Sequence, residues 1–147
     1  MKKSRRLQPV VKVAESREQQ AARALGESQS QLSQAQQRHA ELLRYKEEYL
    51  QRFHAAGKVG MNAAQMEDYR QFLVKLDQAI EQQRQVVEQA AQVLETKRRH
   101  WFEKRTKTQA LDKVVSRYQS AEQRQQDRQE QNEQDEHAQQ TSRDSQH

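Results

Sequence analysis

The chain has no cysteine, one proline and three glycines among its 147 residues. Without cysteine it has no disulfide and no thiolate metal site, and a reducing compartment is compatible with that. Aromatic residues make up 5% and hydrophobic residues 33% of the chain, and the mean hydropathy is −1.34. Globular domains carry roughly 45–50% apolar residues, so a thick core is excluded. The apolar runs are only a few residues long, which excludes a membrane span. Met1-Lys2-Lys3-Ser4-Arg5-Arg6 is basic like the start of a signal peptide. Leu7-Gln8-Pro9-Val10-Val11-Lys12 cannot supply the apolar segment that must follow. The expectation is a protein made and kept in the cytoplasm. What the chain does have is charge, 32% of residues with a net +5, and many strong helix formers. That balance permits nucleic acid, anionic lipid or acidic protein partners without choosing among them.

The apolar residues follow a seven-residue period. Met66, Leu73, Ile80, Val87, Leu94 and Trp101 recur on it, and Tyr69, Leu76 and Ala90 occupy the companion positions three residues later. Alternating steps of three and four form the seam of a coiled coil. In the first half the same register reads Val11, Ala14, Ala21, Leu25, Leu32, Ala35, His39, Leu42, Tyr49 and Phe53, diluted by Glu18, Ser28 and Lys46. Gly26 lies inside this run at a cost of about 1 kcal/mol relative to Ala. Pro9 suits the first turn of a helix. Gly57-Lys58-Val59-Gly60 is the one credible turn, and Asn62-Ala63-Ala64-Gln65 offers a capping box for the helix that follows.

The reading is therefore all-α, a long antiparallel two-helix coiled-coil hairpin. A basic arm covers 1–9. The hairpin covers 10–118, with a helix at 10–55, a turn at 56–61 and a helix at 62–118. The polar, acidic segment 119–147 cannot bury enough surface to offset its chain entropy, so it reads as a frayed helix passing into disorder. The first helix would measure roughly 65–70 Å. Across so short a turn, residues whose numbers add to about 116 should face each other. That pairing brings Leu42 and Leu43 near Leu73 and Leu76, and Ala14 near Trp101.

Catalytic motifs are missing. Gly57-Lys58 lacks the earlier Gly of a phosphate loop, which is Arg52 here, and Val59 replaces the magnesium-holding Ser or Thr. His39, His54, His100, His137 and His147 are too dispersed to form a metal site. A hairpin also lacks the concave, water-excluding site that catalysis requires. The reading is a non-enzyme with no cofactor, no metal and no small-molecule substrate.

Two surface features stand out. Lys2, Lys3, Arg5, Arg6 and Lys12 begin the first helix, and Lys97, Arg98, Arg99, Lys104, Arg105 and Lys107 lie on the second. Antiparallel pairing would gather both runs into a basic collar at one end, with Trp101 and Phe102 among the cations. The collar reads either as a solvated face or as a docking surface for an anionic partner. The second feature is an apolar stripe beside the seam: Phe72, Ala79, Val86 and Val93, with Tyr45 within reach of Phe72. It reads either as a widened two-helix core or as a partner patch.

Tyr69-Arg70-Gln71-Phe72-Leu73, followed by Leu76, Ala79, Ile80, Glu81 and Gln82, resembles the FliJ family of the bacterial flagellar type III export apparatus. Tyr45 and Glu48-Tyr49 on the first helix, and Ala21-Ala22-Arg23-Ala24-Leu25-Gly26-Glu27, extend the resemblance over most of the chain. It implies an antiparallel hairpin similar to the central stalk of rotary ATPases. Such a protein would dock in the export ATPase ring, promote its assembly into a hexamer, connect it to the membrane export gate, and bind export chaperones and help recycle them. By the resemblance, Phe72, Leu76 and Ala79 would meet the gate, with Tyr45 and Tyr49 nearby. Gln83 continues that face where some family members carry His. Charge and the stalk analogy assign ring docking to Arg5, Arg6, Lys12, Lys97, Arg98, Arg99, Lys104 and Arg105. The protein would work as a monomer, peripheral at the cytoplasmic face of the inner membrane. Two other readings stay open: a basic arm that lies along nucleic acid, and a rod that homodimerises through the stripe.

Overall fold

The computed structural model describes residues 1–145; residues 146 and 147, and with them His147 and the end of the expected tail, lie outside the described residues. Two helices, α1 (Lys3–Val59) and α2 (Ala63–Ser145), pack against each other as a helical hairpin. Burial follows the three-four spacing. On α1 the covered positions include Val11, Ala14, Ala21, Leu25, Ser28, Leu32 and Ala35; on α2 they include Leu73, Leu76, Ile80, Val87, Ala90 and Leu94. Met66, counted in the seam from its spacing, is 36% exposed. On α2 the covered positions also continue past Trp101 through Thr108, Leu111, Val115 and Tyr118 to Glu122.

Four polar residues on or beside the seam find partners. Ser28 and Thr108 donate from their hydroxyls to the carbonyls of Ala24 and Lys104, each at 3.0 Å. Gln83 donates from its side-chain amide to the Ala35 carbonyl at 3.0 Å. Lys46 lays its stem along the seam and reaches Asp77 at 2.7 Å. Ala14, Ala21 and Ala35 are buried on the seam. Gly26 is held in the helix, and a methyl added there would meet no atom within 4 Å.

Four sequence expectations differ from the structure. The turn is made at Gly60, whose φ of 108° lies where a side chain is strained, whereas Gly57 remains helical. The connection is therefore shorter than 56–61. Moving the turn shifts the pairing, so that facing residues near the turn have numbers adding to about 117–123, as in Tyr45–Phe72 and Lys46–Asp77. Ala14 accordingly lies beside Lys104, Lys107 and Leu111, further along α2 than Trp101. The helix also starts before Pro9, at Lys3, so residues 3–9 are not a separate arm. Finally, α2 runs on to Ser145 instead of ending near Tyr118 and giving way to disorder. Every residue from 123 to 145 is exposed. Helix-forming Gln and Glu, with Gln123–Asp127, Gln126–Glu130 and Gln131–Asp135 pairs one turn apart, support the backbone where no seam does. The capping box at Asn62 and Gln65 forms as expected. The Gln65 amide donates to Asn62 Oδ1 at 2.8 Å and the Asn62 amide donates to Gln65 Oε1 at 3.2 Å.

The chain divides into two compact units, residues 21–101 around the turn and residues 1–20 with 102–147 around the chain ends. In the end unit, the start of α1 is pinned to α2. Ser4 donates from its backbone N–H at 3.2 Å and from its hydroxyl at 2.7 Å to the Glu122 carboxylate, and Lys3 lies 5.5 Å from the centre of the Tyr118 ring. Glu122 thereby satisfies an open N–H of the helix start from across the hairpin and anchors the turn upstream of Pro9. The Ser4 hydroxyl, with its N–H and the nearby Lys2, holds the Glu122 carboxyl below the usual carboxylate range. A lowered pKa means that the pin contributes above the unfolded carboxyl's pKa, about 4.3, and is lost as pH falls through the lowered value. Backbone amides early in α1 are expected to exchange several-fold faster with solvent in Glu122→Gln than in the wild type at neutral pH. In the wild type the same loosening should appear only in acid. Equal exchange in both proteins at neutral pH would contradict the pin.

Candidate functional site

Within the turn unit, the short connection and the seam bring together aromatic residues far apart in sequence. Tyr49 lies 4.6 Å from Phe72 and 5.3 Å from Tyr69, ring centre to ring centre, and Phe53 lies 5.3 Å from Tyr69. Tyr45 meets Phe72 edge-on at 6.2 Å. The Tyr49 hydroxyl donates to the Tyr69 carbonyl at 3.3 Å. Burial first, then the neighbouring Tyr69 and Tyr45, pushes the Tyr49 phenol up. These contacts sort the six residues expected at the gate-facing patch. Tyr45 and Phe72 are 43% and 38% exposed and form its open surface, with Ala79 half-buried beside them. Leu76 is only 5% exposed and belongs to the seam. Tyr49 and Gln83 are half-buried and are held by their bonds to the Tyr69 and Ala35 carbonyls. Further along the stripe Val86 and Val93 are 46% and 45% exposed, so α1 leaves them uncovered.

The basic residues fall in both units. Lys97, Arg98 and Arg99 lie in the turn unit and are exposed, with Arg98 and Arg99 at 3.8 and 3.3 Å from Glu95. Arg5, Arg6, Lys12 and Arg105 are exposed in the end unit, and Lys104 is half-buried there. Phe102 is 63% exposed. The spacing argument missed one feature of the end unit. Pro9, Val10, Val13 and Ala14 on α1, with Leu111 on α2, floor a furrow of about 300 Å³ rimmed by Arg17, Lys104 and Lys107. Its signal was present: Val10, Val13 and Arg17 recur at three and four residues, on a stripe beside the seam. Among the described residues no group of three or more His, Cys, Asp or Glu is placed to hold a metal, and no helix is long and apolar enough to cross a membrane.

The two-helix scaffold is what the family resemblance implied, and comparison with known proteins decides the family. The family model described as "Flagellar FliJ protein" matches residues 2–147. The chain belongs to the FliJ family. As a member it is a component of the flagellar export apparatus. The chain is 30% identical to the flagellar FliJ protein of Escherichia coli K12 over 109 residues, 74% of each chain. It is also 30% identical to that of Salmonella typhi over 115 residues, 78% of each chain. No solved structure matches it. The FliJ block quoted above, Tyr69 to Gln82, spans both the buried Leu76 and the exposed Phe72, so the motif encodes scaffold and surface together.

Proposed function

We propose that this FliJ-family chain is a stalk-like, non-enzymatic link in flagellar protein export. It docks in the export ATPase ring through its basic residues, promotes ring assembly and hydrolysis, connects the ring to the membrane export gate, and assists the recycling of export chaperones. It works as a monomer at the cytoplasmic face of the inner membrane. The observation that carries the reading is the exposed Tyr45–Phe72 pair, an aromatic surface on a chain of mean hydropathy −1.34. Exposed aromatics on so polar a surface are the residue type that anchors partners. Tyr45, Phe72 and Ala79 present the gate face, and Leu76, Tyr49 and Gln83 hold it in shape from behind. Lys97, Arg98 and Arg99, with Arg5, Arg6, Lys12, Lys104 and Arg105, supply the positive field for the ring.

The test adds the purified chain to its host's export ATPase and measures hydrolysis and ring formation. The wild type is expected to raise both. The triple reversal Lys97→Glu, Arg98→Glu and Arg99→Glu is expected to lower stimulation several-fold while gate binding persists, and Phe72→Glu to do the opposite. Equal loss of both activities in the triple variant, or loss of neither, would count against this assignment of surfaces. No effect of the wild type on the ATPase would remove the docking role itself.

A further inference from the structure

The furrow of the end unit combines two properties that rarely meet on so polar a chain. Its floor is aliphatic: Val10 and Val13 are 47% and 50% exposed, and Leu111 faces them from α2. Its rim is wholly basic, with Arg17, Lys104 and Lys107 among the lining residues and no carboxylate. The depth comes from Ala14, buried at 7% exposure, whose single methyl fills the seam without filling the groove above it. Val10 and Arg17 stand two turns apart on one helix face, about 10 Å. The floor therefore matches apolar side chains spaced by three and four residues on an incoming helix, and the rim matches carboxylates flanking them.

Other occupants fit less well. A nucleic acid would use the cations, but this floor is aliphatic and provides no aromatic face on which a base could stack. The chain's own exposed extension, residues 123–145, is acidic, but its one apolar side chain is Ala138, and it continues α2 beyond Glu122. It has nothing with which to fill the floor.

We propose that this furrow receives an acidic amphipathic helix from a partner protein. Its apolar side chains rest on Val10, Val13 and Leu111, and its carboxylates meet Arg17, Lys104 and Lys107. The proposal goes beyond the ring-docking reading, with which it shares Lys104, and its test requires no ATPase.

The test titrates the full chain with a labelled synthetic helix of about five turns. The peptide carries Leu at three-four spacing and Glu on both flanks, and binding is read by fluorescence anisotropy. A permuted peptide of the same composition and a Lys-for-Glu peptide serve as controls. The acidic helix is expected to bind saturably and the two controls not to bind. Val13→Asp, at a half-exposed position and with helicity checked by circular dichroism, should weaken binding about tenfold or more. The double reversal Arg17→Glu and Lys107→Glu should abolish binding of the acidic helix and confer binding of the Lys-for-Glu helix. Absence of saturable binding, equal binding of the permuted peptide, or indifference to Val13→Asp would overturn the proposal. Two further results would also overturn it: a concentration-dependent dimer in sedimentation equilibrium that Val13→Asp abolishes, and displacement of the peptide by oligouridine with the same Val13→Asp sensitivity. The first would assign the furrow to a second copy of the chain and the second to nucleic acid.

Discussion

Leu76→Ala is expected to lower the free energy of unfolding by about 2–4 kcal/mol, read as a shift of the urea midpoint in far-ultraviolet circular dichroism. Leu76 is 5% exposed, the most covered of the larger apolar side chains. Truncating it removes three carbons from a seam only two helices wide, where no third element can move in to close the gap. Phe72→Ala offers the contrast. Phe72 is 38% exposed, so its loss should cost less stability and more partner binding. The pair of variants thus separates the two halves of one sequence block. If Leu76→Ala left the midpoint unmoved while reducing gate binding as strongly as Phe72→Ala, Leu76 would be a contact residue and the division drawn above would be wrong.

Tyr49→Ala should cost about 2–3 kcal/mol, the second largest effect. The ring touches Phe72 and Tyr69 at 4.6 and 5.3 Å, so its removal deletes two aromatic contacts at once and takes the support from behind Phe72. Tyr49→Phe keeps both contacts and loses only the bond to the Tyr69 carbonyl, which should cost about 0.5–1 kcal/mol. The same two variants test the surface. Gate binding should survive in Tyr49→Phe and fall in Tyr49→Ala, because the exposed pair Tyr45–Phe72 then loses its backing. A Tyr49→Phe variant as defective as Tyr49→Ala would place the hydroxyl itself in the contact.

Much of this was legible in the sequence because a coiled coil writes its burial into a simple period. Leu73, Leu76, Ile80, Val87 and Leu94 could be placed on the seam by counting, and Asn62 with Gln65 could be placed at a helix start by motif. Two glycines three residues apart could not be ranked in the same way. Gly57 and Gly60 are alike as letters, and only the backbone angle shows which one turns the chain. That ambiguity moved the whole pairing. The start of α1 was hidden for another reason: its support comes from Glu122, a residue 118 positions away from Ser4. Past Tyr118, composition argued for disorder while pairs such as Gln123–Asp127 argued for helix, and in the structure the local pairs prevail. The patch was readable as a group of aromatics. Which of its members face outward depends on a few tens of degrees around each helix, finer than a period of seven resolves.

The Gln83 bond to the Ala35 carbonyl has a mechanical meaning. A seam of repeated small and branched side chains is nearly degenerate: displaced by one heptad, alanines and leucines meet much the same neighbours. Gln83 opposes that degeneracy within the turn unit, because a slipped alignment takes its half-buried amide away from the Ala35 carbonyl, while the half-exposed Lys46–Asp77 pair adds only a weak preference. Shear between the two helices near the turn is therefore opposed by the Gln83 bond as well as by the tether at Gly60. A load applied to one helix passes to its neighbour instead of dissipating as slippage.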